Sequence, residues 1–219
     1  MKGTLIAFEG LDASGKSTQL SLLKERLEQE GYAVTVFKFP SYEKTYYGRL
    51  LQRYLAGEFG NVGQVSPYLI GVIYALDRLE MRPAIIKALD AGKIVLLDRY
   101  VASNKAHMGA KLKQEEQQKF LQWVDELDFE KNKMPREDVT LFLEVPVAIT
   151  LQLMQQNNKL KDIHERDSSY MEEVWKLYHK LAQGMGWVTV PCVEHSRMLG
   201  REVIADRIYA ALKEKNILK

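Results

Sequence analysis

Cysteine is almost missing from this chain: Cys192 is the only one in 219 residues. That excludes an intrachain disulfide and a cysteine zinc cluster, and it fits a reducing compartment. No stretch approaches the roughly 20 apolar residues that a membrane-spanning helix needs. The opening MKGTLIAFEG departs from a signal-peptide plan, because its apolar run is short and Glu9 interrupts it. A cytoplasmic protein is therefore expected. Charge of one sign is scarce too: 31 Lys and Arg against 29 Asp and Glu leave +2. Such a balance gives no basic excess to draw nucleic acid or an anionic membrane. Internal repeats, low-complexity segments and linker-like Pro/Gly/Ser stretches are also lacking. What remains is ordinary globular material, 46% hydrophobic, enough for a substantial core in about one domain's length. One domain spanning residues 1–219 is expected.

Short apolar runs alternate with longer stretches of helical period, the pattern of a parallel sheet covered by helices. Leu5 to Phe8 reads as the first strand. Ser17 to Gln29 follows as a helix with Leu20, Leu23 and Leu27 on one face and Gly31 past its end. Val34 to Phe37 is a second strand. Ser66-Pro67 reads as an N-cap followed by proline at the first helical position, opening a helix toward Asp90 that Pro83 should kink or split. Ile94 to Leu97 is apolar throughout, as expected of a strand buried on both faces. Gln114 to Asp128 is a helix, Val139 to Leu143 a strand, and Pro146 opens another helix. Gln155 to Asp167 is polar and charged, an exposed loop. A helix from Tyr170 to near Gly184, a last strand from Trp187 to Val190 and a final helix through Leu212 complete the chain. The order β-α-β-α-β-α-β-α-β-α predicts an α/β fold, a doubly wound parallel β-sheet flanked by helices.

Between the first strand and the first helix stands Gly10-Leu11-Asp12-Ala13-Ser14-Gly15-Lys16-Ser17, which fits G-x-x-x-x-G-K-[ST], with Thr18 following. Glycines let successive backbone N–H groups turn inward on phosphate oxygens, and the helix start adds partial positive charge. Lys16 brings a full charge to the β- and γ-phosphates, and the Ser17 hydroxyl is placed to ligate Mg²⁺. With glycine near 7% of residues a chance match is on the order of 10⁻², and the strand-to-helix position argues against a bare structural turn. The guanine-reading N-K-x-D is missing: Asn104-Lys105, Asn132-Lys133 and Asn158-Lys159 all lack its aspartate. That disfavours a GTPase. Asp98 ends a strand and can reach the metal or its water, and Arg99 beside it can grip a second phosphate bidentately.

The residues then become familiar. Phe8-Glu9-Gly10-x-Asp12-x-x-Gly15-Lys16-Ser17-Thr18, Phe39-Pro40, Ala75-Leu76-Asp77-Arg78, Asp98-Arg99-Tyr100, Gly109-Ala110-Lys111, Leu143-Glu144-Val145-Pro146 and His164-Glu165-Arg166 together resemble the thymidylate kinases. These are P-loop nucleoside monophosphate kinases, and the resemblance spans nearly the whole chain in order. It implies transfer of the γ-phosphoryl of ATP to dTMP with Mg²⁺, and a symmetric homodimer. Lys16 and the loop amides (Gly10 to Thr18) would hold ATP, and Ser17 and Asp98 the metal. Asp12 would lie near the sugar 3′-hydroxyl, with Arg99 on the monophosphate, Arg78 at the thymine edge, Tyr74 stacked on the base and Ser103 or Asn104 bonded to the ring. Read without the family, Tyr74 is a core-facing ring and Asp77-Arg78 a solvated ion pair.

Physics asks for further cations. Two like charges about 4 Å apart repel by roughly 4 kcal/mol at an effective dielectric near 20, and phosphoryl transfer is chiefly positioning and neutralisation. Lys159, Lys161 and Arg166 in the charged segment 155–167 are nominated as a lid, with Arg166 in a catalytic role beside Lys16, Arg99 and Asp12. A solvated loop is the plain alternative. The chain departs from the family at Ala13, Lys38, His107 and Ile163, which opens the base preference and the identity of the lid cation. Other acceptors, such as another nucleoside monophosphate or a deoxynucleoside, and an inactive nucleotide-binding module are the competing readings.

Overall fold

The structure, a computed structural model, describes residues 3–60, 64–156, 168–184 and 186–218. Strands β1 (Thr4–Glu9), β2 (Val34–Lys38), β3 (Ile94–Asp98), β4 (Val139–Glu144) and β5 (Trp187–Pro191) form one sheet in the order β2-β3-β1-β4-β5. Every neighbouring pair is parallel. Because side chains alternate along a strand, each strand supplies both faces. Leu5, Ala7, Val95 and Leu97 pack with Leu51, Ile70, Ile85 and Phe120 on one side. Ile6, Phe8, Leu96 and Leu141 pack with Leu20, Leu27, Ile204 and Ile208 on the other. The expected doubly wound α/β architecture is the observed one.

The helices are α1 (Lys16–Gln29), α2 (Tyr46–Leu55), α3 (Pro67–Asp90), α4 (Val101–Gly109), α5 (Gln114–Asp125), α6 (Val147–Gln156), α7 (Ser168–Ala182) and α8 (Arg201–Glu214). The simple alternation read from the sequence therefore needs correction. Two consecutive helices cover several of the crossovers, and α5 runs on into a π-helical segment, Glu126–Lys131. The final strand is followed by a short antiparallel hairpin, β6 (Val193–Glu194) and β7 (Arg197–Met198). Pro83 does not split α3. It lacks the N–H that would reach the Leu79 carbonyl, but Ile70 and Ala75 before it and Ile85 and Leu89 after it are all buried, so packing holds both halves in one helix. Ser66 stands at the predicted N-cap without making a side-chain capping bond. Gln155 and Gln156, expected in the exposed loop, close α6.

The connection from β1 skips past β3 to β2, while the connection from β3 crosses over β1 to β4. The chain thus leaves the carboxyl ends of β1 and β3 in opposite directions and on opposite faces, the point where open α/β sheets form a crevice. Among the described residues no helix is long and apolar enough to cross a membrane.

Candidate active site

The loop from Gly10 to Gly15 leaves β1 at that crevice. Gly10 has φ 142°, and a Cβ there would lie 2.8 Å from the Leu143 carbonyl oxygen, so only glycine fits. Gly15, at φ 89°, caps α1. Lys16 is buried at the helix start, with Nζ donating to the carbonyls of Gly10 (3.1 Å) and Leu11 (2.7 Å). Burial, aided by the charge of Arg99, lowers its pKa to about 8 against the opposing pull of Asp12, Asp98 and Glu9. The Ser17 hydroxyl donates to Asp98 Oδ2 at 2.9 Å. Gly15, Lys16, Ser17 and Asp98, with Lys38 at the rim, line an open cleft of about 360 Å³. Lys38 Nζ lies 4.0 Å from Asp98 Oδ2.

Strand pairing explains why groups over eighty positions apart in the chain meet here. Phe8 is in register with Asp98, and the amide of Arg99 donates to the Phe8 carbonyl at 3.0 Å. Arg99 itself has φ 69°, an uncommon conformation for a non-glycine residue and one that concentrates at functional sites. Its Nη2 bonds Asp12 Oδ1 at 2.7 Å. Nη1 faces the Gly10 carbonyl (3.0 Å), Ser103 Oγ (3.1 Å), the Tyr178 hydroxyl (3.2 Å) and His107 Nε2 (3.4 Å). Burial alone would favour loss of the proton, but Asp12, Tyr178, Glu9 and Asp98 outweigh it and hold the guanidinium firmly charged.

Beside the first cleft lies a second, smaller cavity of about 70 Å³ with aromatic walls of Phe39, Tyr42, Tyr74 and Tyr100. Arg78, Ser103, Asn104 and His107 line it as well, and Asp12 and Arg99 border both spaces. Tyr74 is half-buried: it packs against the core and also lines this cavity. Nor are Asp77 and Arg78 a solvated pair. Asp77 is buried and accepts from the Ser41 amide (3.0 Å) and the Thr45 hydroxyl. Arg78 is buried on α3 and makes a bidentate bond to Asp128, Nε to Oδ1 at 2.8 Å and Nη2 to Oδ2 at 2.7 Å. Its Nη1 meets no acceptor among the described residues. The Asn104 amide gives Nδ2 to the Gly71 carbonyl at 3.2 Å, which leaves Oδ1 buried without a partner among the described residues.

Ser103 is placed differently from expectation. Its hydroxyl donates to Glu9 Oε2 at 2.6 Å and accepts from Arg99, so its bonding is largely satisfied within the protein. Three residues of this centre were not singled out from the sequence. Glu9 is fully buried and accepts from the amides of Tyr100 (2.7 Å) and Ser103 (3.2 Å), tying β1 to the start of α4. A carboxylate ending an apolar strand just before the glycine loop was its signal. Tyr178 sits at an ordinary core position of α7, and Asp128 is aimed inward by the π-helical segment; neither carried a sequence signal. Cys192 is packed, its thiol pushed up to about 12 by burial. Lys159, Lys161 and Arg166 lie outside the described residues.

The family profile described as "Thymidylate kinase" matches residues 8–211. A curated thymidylate kinase of Mycobacterium tuberculosis is 30% identical over 221 aligned positions, covering 97% of this chain and 99% of that protein. A "probable thymidylate kinase" of Pyrococcus abyssi is 29% identical over 185, covering 84% of each. Among solved structures, a thymidylate kinase from Candida albicans superposes with a TM-score of 0.78 at 21% identity, over 98% of this chain and 93% of that one.

Proposed function

The chain belongs to the thymidylate kinase family, and from that membership we propose that it transfers the γ-phosphoryl group of ATP to dTMP, giving dTDP and ADP. The observation that carries this reading is the shared border. One cleft is built for a polyphosphate and the other for a flat ring, and Asp12 and Arg99 belong to both. A donor phosphate at Lys16 and an acceptor phosphate at Arg99 would therefore meet at one place. In-line transfer requires that juxtaposition.

Each group has a task in this scheme. The loop amides and Lys16 hold the β- and γ-phosphates, and Arg99 neutralises the acceptor. In the aromatic cavity Asn104 Oδ1 accepts the thymine N3–H, Nη1 of Arg78 donates to a ring carbonyl and Tyr74 stacks on the base. Of the two residues expected at the ring, Asn104 has an acceptor to offer, whereas the Ser103 hydroxyl is engaged by Glu9. No general base is required, because the attacking phosphate oxygen is already ionised.

Mg²⁺ suits the donor cleft. Ser17 and Asp98 are hard oxygen donors already in contact. Since no cluster of three metal-binding side chains occurs among the described residues, phosphate oxygens and water would complete the shell, as this ion prefers. Bound there, it would neutralise the charge of the bridging phosphates. We assign the remaining positive charge to Lys159, Lys161 and Arg166 in a lid over residues 155–167 of a single P-loop kinase domain.

A cytoplasmic homodimer completes the proposal. Leu69, 66% exposed on α3, is one of the exposed apolar side chains that such an interface would cover. Light scattering on the wild type and on Leu69→Lys tests it: a dimer that the lysine dissociates is expected, and a monomeric wild type would refute it.

The activity is tested by supplying ATP and Mg²⁺ with dTMP, other nucleoside monophosphates and thymidine, with products resolved by chromatography. Equal amounts of dTDP and ADP from dTMP are expected. Faster phosphorylation of thymidine would displace Arg99 as a phosphate clamp, and nucleotide binding without any product would favour a non-catalytic module.

A further inference from the structure

Tyr178 touches neither cavity as a wall, yet it meets three groups of the centre. Its ring lies on Phe142 of β4, with centroids 5.5 Å apart and planes 18° from parallel. Its hydroxyl reaches Glu9 Oε2 (3.0 Å), Ser103 Oγ (3.0 Å) and Arg99 Nη1 (3.2 Å). Burial and the nearby Glu9 carboxylate push the phenol well above its ordinary range, so the group stays neutral. A neutral phenol that gives its proton to Glu9 can turn only lone pairs toward Arg99. The hydroxyl of Ser103, donating to the same carboxylate, does likewise.

The consequence falls on the two edges of the guanidinium. The Nη1 side is occupied by the Gly10 carbonyl, Ser103, Tyr178 and His107, and one Nη2 hydrogen by Asp12. The Nε–H and the other Nη2 hydrogen meet no acceptor among the described residues. With Asp12 on Nη2, the Nε–H and the remaining Nη2 hydrogen are the donors that Arg99 has to offer to phosphate oxygens.

We propose that Tyr178 is a positioning residue: its hydroxyl, fixed by Glu9, anchors the Nη1 side of Arg99 and leaves the Nε–H and one Nη2 hydrogen for the acceptor phosphate. This rests on the reading of Arg99 as the clamp for dTMP. A helix late in the chain, α7, thereby helps to set the geometry of a residue at the end of β3.

Binding of dTMP, thymidine and ATP to wild type and Tyr178→Phe, measured by calorimetry, tests the proposal. Phenylalanine keeps the stack on Phe142 and removes one oxygen. The affinity for dTMP should fall about tenfold, the weight of one hydrogen bond to a charged group. Thymidine, which has no phosphate for Arg99, and ATP should change less than about twofold, and the dTMP KM should rise while kcat falls less. Equal losses for dTMP and thymidine, or no loss for either, would overturn it. Should Tyr178→Phe not fold, Glu9→Gln, which retains the ring stack and loosens the hydroxyl, reads the same split. A wild type that binds thymidine as tightly as dTMP would instead refute the clamp reading itself, before any variant is made.

Discussion

Lys16 offers a prediction that no sequence motif contains. In the free protein burial of its ammonium and the like charge of Arg99 lower its pKa from 10.5 to about 8, although two carbonyl oxygens accept from it. A triphosphate bound against Nζ favours the charged form and returns the pKa upward. Above pH 8 the bound state therefore holds more protons than the free state, and affinity must fall as pH rises. At pH 9 about nine-tenths of free Lys16 is neutral, so ATP binding should take up about 0.9 proton; at pH 7 the uptake should be about 0.1. The terminal phosphate does not interfere, since a phosphate monoester loses its second proton near pH 6. Titration calorimetry in two buffers of different ionisation enthalpy measures the uptake directly. Affinity should weaken toward tenfold per pH unit above 8 and stay nearly level below it. Zero uptake at pH 9 together with a flat affinity profile would refute the reasoning, and Lys16→Ala should be weak and flat throughout.

Other perturbations bear on neighbouring groups. Arg99→Ala should lower kcat/KM for dTMP by about 10²- to 10³-fold. Because Arg99 is the second cause of the lowered Lys16 pKa, the same variant should move the pH break in ATP binding upward; an unmoved break, read by the same titration, would contradict the assigned coupling. Asp128→Ala strands the Arg78 charge in a site where both partners are buried, so urea unfolding should register a loss of about 3–5 kcal/mol, and the pair Arg78→Met/Asp128→Leu should recover much of it. A loss below about 1 kcal/mol for Asp128→Ala would mean that the pair is not the closed unit described.

Much of this molecule is written locally. Ile94 to Leu97 announce a buried strand because the run is apolar throughout, and Gly10 to Ser17 announce a phosphate loop because their backbone requirements are strict. Of the additional helices, α2 (Tyr46–Leu55) was legible but unread, since Tyr47, Leu50, Leu51, Tyr54 and Leu55 recur at helical spacing, whereas α4 (Val101–Gly109) is short and buries the polar Asn104 among its apolar positions. Pro83 misled for the opposite reason: a strong local signal gave way to tertiary packing on both sides of it. At the site, residues next to a motif were legible, as with Asp98 and Arg99. Those that converge only in three dimensions were not. Asp128 depends on the one-residue offset of a π-helical segment, and Tyr178 looks like any core aromatic until β1, β3 and α7 are assembled. The environment of Arg78, buried and paired rather than solvated, likewise belongs to the assembled fold.

The most direct test uses one molecule that joins adenosine to thymidine through a polyphosphate chain. If the cleft at Lys16 and the aromatic cavity share a border at Asp12 and Arg99, this ligand should bind more tightly than either substrate and compete with both ATP and dTMP. Competition with ATP alone, leaving dTMP binding untouched, would mean that the two spaces do not form one site.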